Sequence, residues 1–222
     1  MIAALSDILA RTHTLTFDCY GTLVDWETGL RTALARGTTP SPPEFFDAYL
    51  EQEAAVESGP YLRYRDVVRN AVLGAAARLG FPFHDAHARS VGDSVGDWPV
   101  FPDTRDALLK LGRRFRLGIL SNVDRDLLAR TIARIDLSFD FLITAEDVRS
   151  YKPAEGHFRR LIDLHGGAQG LLHVAQSVYH DGVPARRLGL PFIWINRRGE
   201  RRTGDAAPLA EFADLRSFAD QM

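Results

Sequence analysis

Residues 17–26, FDCYGTLVDW, decide how this chain is read. Asp18 follows the apolar run Leu15-Thr16-Phe17, which reads as the end of a buried strand, and Gly21-Thr22 then breaks the run. A carboxylate at the carboxyl end of a parallel strand lies where open α/β sheets build their binding crevices. Placed there, it can act as a covalent nucleophile. Two positions further on stands Tyr20, not a second acid.

Working outward, five short apolar runs read as buried strands: residues 13–17, 116–120, 141–144, 171–175 and 192–195. Helical patterns at 124–135, 154–165 and 182–188 separate the last four, with Asp124 as an N-cap and Gly166-Gly167 as a stop. Strand alternating with helix predicts an α/β fold, a doubly wound, Rossmann-like parallel sheet covered on both faces. Residues 18–115 separate the first two strands, far more than a crossover needs. Within them Pro42-Pro43 opens a helix carrying Phe45, Phe46, Tyr49 and Leu50. A second helix, 64–79, carries Val67, Val68, Ala71, Val72 and Ala75 at helical spacing. The Gly- and Pro-rich stretch 92–102 reads as a linker. The expected organisation is a core of residues 1–22 and 101–222 with a helical cap inserted at 23–100.

Composition narrows the partners. A formal net charge of -2 over 222 residues gives no electrostatic reason to expect nucleic acid or an anionic membrane. Arg197, Arg198, Arg201 and Arg202 read as a solvated loop. Cys19, the single cysteine, cannot form an intrachain disulfide and reads as a buried structural residue. It fits a reducing cytoplasm. No apolar stretch approaches the ~20 residues of a membrane span, and a basic-then-apolar leader pattern is absent at the N-terminus. Cytoplasmic localisation is therefore expected. His157, His173 and His180 lack zinc-ligand spacing.

Four places can carry chemistry, all at expected carboxyl ends of strands. They are Asp18 with Tyr20, Gly21 and Thr22; Ser121-Asn122; Lys152-Pro153; and Asp181. Each alone has a bland reading as a turn, cap or loop residue. Together they make chemical sense. Lys152 can keep Asp18 ionised and draw in an anion. Ser121 and Asn122 are short donors for a substrate oxygen or a departing anion. Asp181 can pair with Lys152 or position a water.

In this order on this strand pattern, the four resemble the motifs of the haloacid dehalogenase superfamily, and the resemblance spans nearly the whole chain. Most of that superfamily are phosphatases with a second Asp where this chain has Tyr20, and with Gly-Asp where it has Ala175-Gln176. Asp-x-Tyr-Gly-Thr-Leu instead resembles the (S)-2-haloacid dehalogenases. The resemblance implies that Asp18 displaces halide from a small anionic 2-haloalkanoate and that water opens the resulting aspartyl ester. Ser121 and Asn122 would orient substrate or receive halide, Lys152 would hold the carboxylates, and Asp181 would assist hydrolysis. No metal or other cofactor is implied, and a homodimer is compatible with the likeness. The alternative is a magnesium-dependent phosphatase, its metal held by Asp18, the Tyr20 carbonyl and Asp181. A weaker alternative is a binding protein whose activity has decayed.

Three departures bear on the substrate. The stretch PPEFFDAYLEQEAAV, 42–56, lacks the Arg that the family carries in its first cap helix, and Arg63 and Arg65 in YLRYRDVV are the candidate replacements. Ser177-Val178 stands for the family's Ser-Asn, leaving Ser177 as a substrate-binding candidate, and Phe158 stands for its Tyr. Tyr20 either lines the substrate or packs beneath the cap.

Overall fold

The computed structural model describes residues 2–37, 41–201 and 206–222. Six parallel strands form one sheet in the order β3-β2-β1-β4-β5-β6. They are β1 (Thr14–Phe17), β2 (Arg116–Ser121), β3 (Phe141–Thr144), β4 (Leu171–Ala175), β5 (Phe192–Ile195) and β6 (Ala210–Phe212). The five expected strands are all present. β6 was not expected: three residues, Ala-Glu-Phe, none of them fully buried, leave no hydrophobic run to read.

Helices α1 (Ile2–Arg11), α6 (Thr104–Leu111), α7 (Arg125–Ile135), α8 (Ala145–Val148), α9 (Gly156–His165), α10 (Val183–Arg187) and α11 (Leu215–Ala219) accompany the sheet. Gly166 ends α9 in the left-handed conformation, as its position suggests. Alternation along the strands builds two cores. Ile119, Leu172 and Val174 join one hydrophobic cluster, while Leu120, Leu171 and Ala175 join another with Phe158 and Trp194.

The insertion is helical: α2 (Trp26–Leu34), α3 (Phe45–Glu57), α4 (Tyr64–Arg78) and α5 (Asp85–Asp93). α4 packs against both α3 and α5, and Phe45, Tyr49, Val68 and Val72 share the cluster that contains Leu15 and Phe17. No helix among the described residues is long and apolar enough to cross a membrane. Two readings need correction here. Gly92 is not linker: it lies in the last turn of α5, where a Cβ would run into the Arg65 carbonyl oxygen of α4. The return segment is short and contains a 3-10 turn, Val95–Asp97.

Asp124 precedes α7 but its carboxylate makes no cap bond there. It is fully buried and accepts from the backbone N–H groups of Tyr64 (2.9 Å) and Arg65 (3.2 Å), so it caps α4 across the fold. Without that carboxylate both N–H groups lose the partner they have in the fold. Asp124→Ala is therefore expected to destabilise the protein by roughly 1–3 kcal/mol, read as a lower urea midpoint at unchanged slope.

Candidate active site

The register sets the site. Phe17 lies opposite Ile119 of β2 and Val174 of β4, so the chain leaves three adjacent strands at the same level. The chain runs outward from β1 to β2 and β3, then returns to β4 on the other side of β1. Asp18 thus stands at the point where strand order reverses, the crevice of an open α/β sheet.

Lys152 occupies the centre. Its ammonium donates to Asp18 Oδ1 (2.9 Å), Asp181 Oδ1 (2.6 Å) and the Leu120 carbonyl (3.0 Å), which uses all its protons. Thr22 Oγ1 donates to Asp18 Oδ2 at 2.8 Å and in turn accepts from the Gln176 backbone N–H. His173 bridges Thr16 Oγ1 (2.8 Å) and Asp181 Oδ1 (2.9 Å) from the middle of β4. Burial pushes Lys152 down, but the two aspartates outweigh it and hold the ammonium above an ordinary lysine. Burial pushes Asp181 up, yet Lys152 and His173 prevail and keep it well below the usual carboxylate range. Asp18 is the less favoured partner of that ammonium. Burial and the Asp181 charge raise it despite Lys152.

Around this trio lies a cleft of about 270 Å³, walled by sheet loops below and by α3 and the start of α4 above. Of the residues singled out from sequence, Asp18, Tyr20, Ser121, Asn122, Lys152, Ser177 and Asp181 all line it. Their side chains differ in what they have free. Ser121 Oγ and Asp181 Oδ2 are buried without a hydrogen-bond partner among the described residues. Asn122 is committed: its amide donates to the Lys152 carbonyl (3.1 Å) and accepts from the Lys152 N–H (2.7 Å), which positions the lysine. Ser177 Oγ accepts from the His180 N–H (3.0 Å) at the start of a π-helical turn, Val178–Gly182, that presents Asp181. The Tyr20 hydroxyl is anchored on Thr131 Oγ1 (2.9 Å) and its ring meets Trp98 edge-on, so the phenol is part of the packing under the inserted helices.

Arg63 and Arg65 do not reach the cleft. Arg63 pairs with Asp126 at 2.9 Å, and Arg65 pairs with Asp93, Asp124 and Asp126. Acidic partners at the start of α7 and the end of α5 capture both guanidiniums. Among the described residues, the arginine that lines the cleft is Arg198, from the run read as a solvated loop. Its guanidinium pairs with Glu27 at 3.1 Å and lies 5.5 Å from the Trp26 ring. Arg198 itself stays exposed, as that reading expects, whereas its neighbour Arg197 does not: it donates to Asp103 (3.0 Å) and to the Thr22 carbonyl (2.9 Å), bracing the loop after Asp18. Arg202 lies outside the described residues. Glu53 and Glu57, also in the wall, were missed. Their signal was present: Tyr49, Glu53 and Glu57 recur every fourth residue along α3, on one face.

Two buried groups stay out of the chemistry. Burial and the Asp18 charge push the Cys19 thiol well up, which leaves it inert. His157, packed below Ser121 with Nε2 3.1 Å from the Ser121 carbonyl, is pulled down to about 3, chiefly by burial. It is neutral in the fold, whereas the unfolded chain takes a proton below about 6.5. Stability therefore falls as pH drops from 6.5 toward 3, by up to about 1.4 kcal/mol per pH unit from this group. Thermal unfolding across that window should show a flatter pH slope for His157→Gln.

A magnesium ion fits this donor set poorly. Asp18 and Asp181 are the two carboxylates a cation would need; each already gives its Oδ1 to the ammonium of Lys152, and Thr22 holds Asp18 Oδ2, which leaves Asp181 Oδ2 as the uncommitted carboxylate oxygen. Among the described residues no group of three or more His, Cys, Asp or Glu side chains converges on a metal position.

An aspartate at the switch point of a doubly wound sheet, paired to a buried lysine beneath inserted helices, defines a hydrolase class. Residues 12–171 match the model of the haloacid dehalogenase-like hydrolases, and the chain belongs to that family. It is 24% identical over 217 residues to (S)-2-haloacid dehalogenase H-109 of Pseudomonas putida, covering 93% of this chain and 96% of that one. Its fold matches the L-2-haloacid dehalogenase of Xanthobacter autotrophicus with chloropropionic acid covalently bound (TM-score 0.81, 18% identity, 94% and 97% covered). It also matches the putative HAD-hydrolase YfnB of Bacillus subtilis bound to magnesium (TM-score 0.78, 19% identity, 95% and 98% covered).

Proposed function

We propose that this hydrolase displaces halide from a small 2-haloalkanoic acid through Asp18, without a metal. One observation carries the reading: the ionisable trio Asp18–Lys152–Asp181 is complete, and no acid stands at position 20. A phosphate ester needs its leaving oxygen protonated; a halide leaves as an anion. The missing acid is therefore no handicap in this reaction.

Asp18 Oδ attacks C2, and the carbon–halogen bond breaks with its electron pair on the halide. A water then adds to the Asp18 Cγ. Collapse of that adduct breaks the bond between Cγ and the Oδ that attacked C2, which leaves with C2 as the hydroxyl of a 2-hydroxy acid after taking up a proton. The remaining proton passes to solvent as the carboxylate is restored. Lys152 fixes Asp18 for attack. Asp181, with one oxygen unpartnered, has the place to orient the water. Ser121 Oγ is the free donor for substrate or halide, and Arg198 replaces Arg63 and Arg65 as the anion-site arginine. We further assign residues 23–100 as a cap on a core of 1–22 and 101–222. Relatives named as bacterial haloacid dehalogenases support the reading.

Halide release from (S)-2-chloropropionate in the presence of a chelator tests the proposal. Release that is abolished by chelator and restored by magnesium would move the assignment to the metal-dependent branch.

A further inference from the structure

The charges in the cleft do not suit a purely anionic substrate. Lys152 has no proton left to offer, since Asp18, Asp181 and the Leu120 carbonyl take all of them. Arg198 is drawn toward Glu27 and Glu200. Across from these groups, α3 contributes Glu53 and Glu57 to the wall. Neither forms an ion pair with a basic side chain among the described residues.

Glu53 is held on purpose-built supports. The hydroxyls of Tyr49 (2.7 Å) and Tyr64 (2.8 Å) both donate to its Oε1. The two phenols on one oxygen pull the carboxyl down, but burial outweighs them and raises Glu53 overall, and Oε2 is left without a donor from the described residues. Glu57 follows one helical turn later and is pushed well up, chiefly by burial and then by the Glu53 charge, against Lys152. Burial raises both glutamates, the state expected of carboxylates whose counter-charge arrives with a ligand. The same cleft holds two further polar atoms that await a ligand at its reacting end: Ser121 Oγ and Asp181 Oδ2, in residues 0% and 1% exposed, have no partner among the described residues.

We propose that the substrate carries an ammonium or similar cation at the end remote from the reacting carbon, and that Glu53 and Glu57 of α3 recognise it. This deepens the dehalogenase reading, on which it rests for the reacting end. The substrate becomes zwitterionic, its carboxylate toward Ser121 and Arg198 and its cation toward the cap wall. Protonated glutamates donating to a second carboxylate would be the opposite arrangement, and the measurement separates the two.

The test is calorimetric titration of the intact protein with unhalogenated ligands: ω-aminoalkanoates of four to six carbons, the matching alkanoates, and the matching dicarboxylates. The aminoalkanoate is expected to bind at least about tenfold tighter than the alkanoate of equal length, with the dicarboxylate weakest. In the double variant Glu53→Gln/Glu57→Gln that preference should shrink below about twofold. Glu57→Gln alone, which keeps both tyrosine bonds to Glu53, should lose part of it while retaining the wild-type melting profile. Equal or tighter binding of the alkanoate or dicarboxylate overturns the proposal. So does a preference that survives the double variant, or an aminoalkanoate that fails to bind at millimolar concentration. Because these ligands require no turnover, the outcome is independent of halide release from 2-chloropropionate, and either reading can fail while the other stands.

Discussion

Asp18→Asn is expected to stop halide release, by at least roughly a thousandfold in kcat. An amide is nearly isosteric with the carboxylate it replaces, so the bond from Thr22 Oγ1 and the packing of a side chain only 10% exposed can persist. The nucleophile is what disappears. The covalent step leaves a record that simple loss of activity does not. In wild-type protein under single turnover, mass spectrometry should find the acid moiety on the peptide containing Asp18. In water labelled with heavy oxygen, the label should enter the Asp18 carboxylate before it enters product, because hydrolysis attacks Cγ and not C2. Label appearing directly in product would mean that water displaces halide itself, with Asp18 as a base. Undiminished release by the D18N protein would place the nucleophile elsewhere.

Lys152→Met should damage both catalysis and folding. The ammonium is 1% exposed and is shared by carboxylates that are 10% and 1% exposed. Removing one member of a buried ion pair typically costs about 3–5 kcal/mol, since the remaining charge has neither water nor partner. Here two carboxylates are left facing each other. The pH dependence then changes sign. In the native protein the lowered Asp181 contributes stability that is present above the unfolded value of about 3.9 and lost as pH falls through the folded one. In the variant both carboxylates prefer to be protonated in the fold, so the folded state binds more protons than the unfolded chain near neutrality. Its stability should therefore rise as pH falls from 7 to 5. Urea denaturation at several pH values reads this directly. A loss below about 1 kcal/mol with the native pH slope would show that the trio does not act as a charged unit.

Much of this site was legible before any coordinates. Asp18 declares itself because it ends a hydrophobic run, while Lys152 and Asp181, each readable alone as a loop or turn residue, stand out through the order of the four motifs, and parallel strands bring such ends to one edge of a sheet. Pattern alone misplaced residues whose partners are remote in the chain. Asp124 looks like the cap of its own helix, yet it serves α4, some 60 residues away. Arg63 and Arg65 have the right chemistry for an anion site, but Asp93, Asp124 and Asp126 claim them first. Arg198 sits in what reads as a solvated basic loop and still lines the cleft.

The sequence by itself determined the fold class and placed Asp18 at the end of a buried strand, since hydrophobic periodicity and a carboxylate at a strand end are local properties of the chain. Only the tertiary structure decided which charges face the substrate. Phe45, Tyr49, Val68 and Val72 of the inserted helices share one hydrophobic cluster with Leu15 and Phe17 of the sheet. That packing turns the Tyr49–Glu53–Glu57 face toward Asp18 and leaves Arg63 and Arg65 bound to the carboxylates around Asp124. Helical spacing shows which residues share a face; where that face looks depends on contacts between segments far apart in sequence.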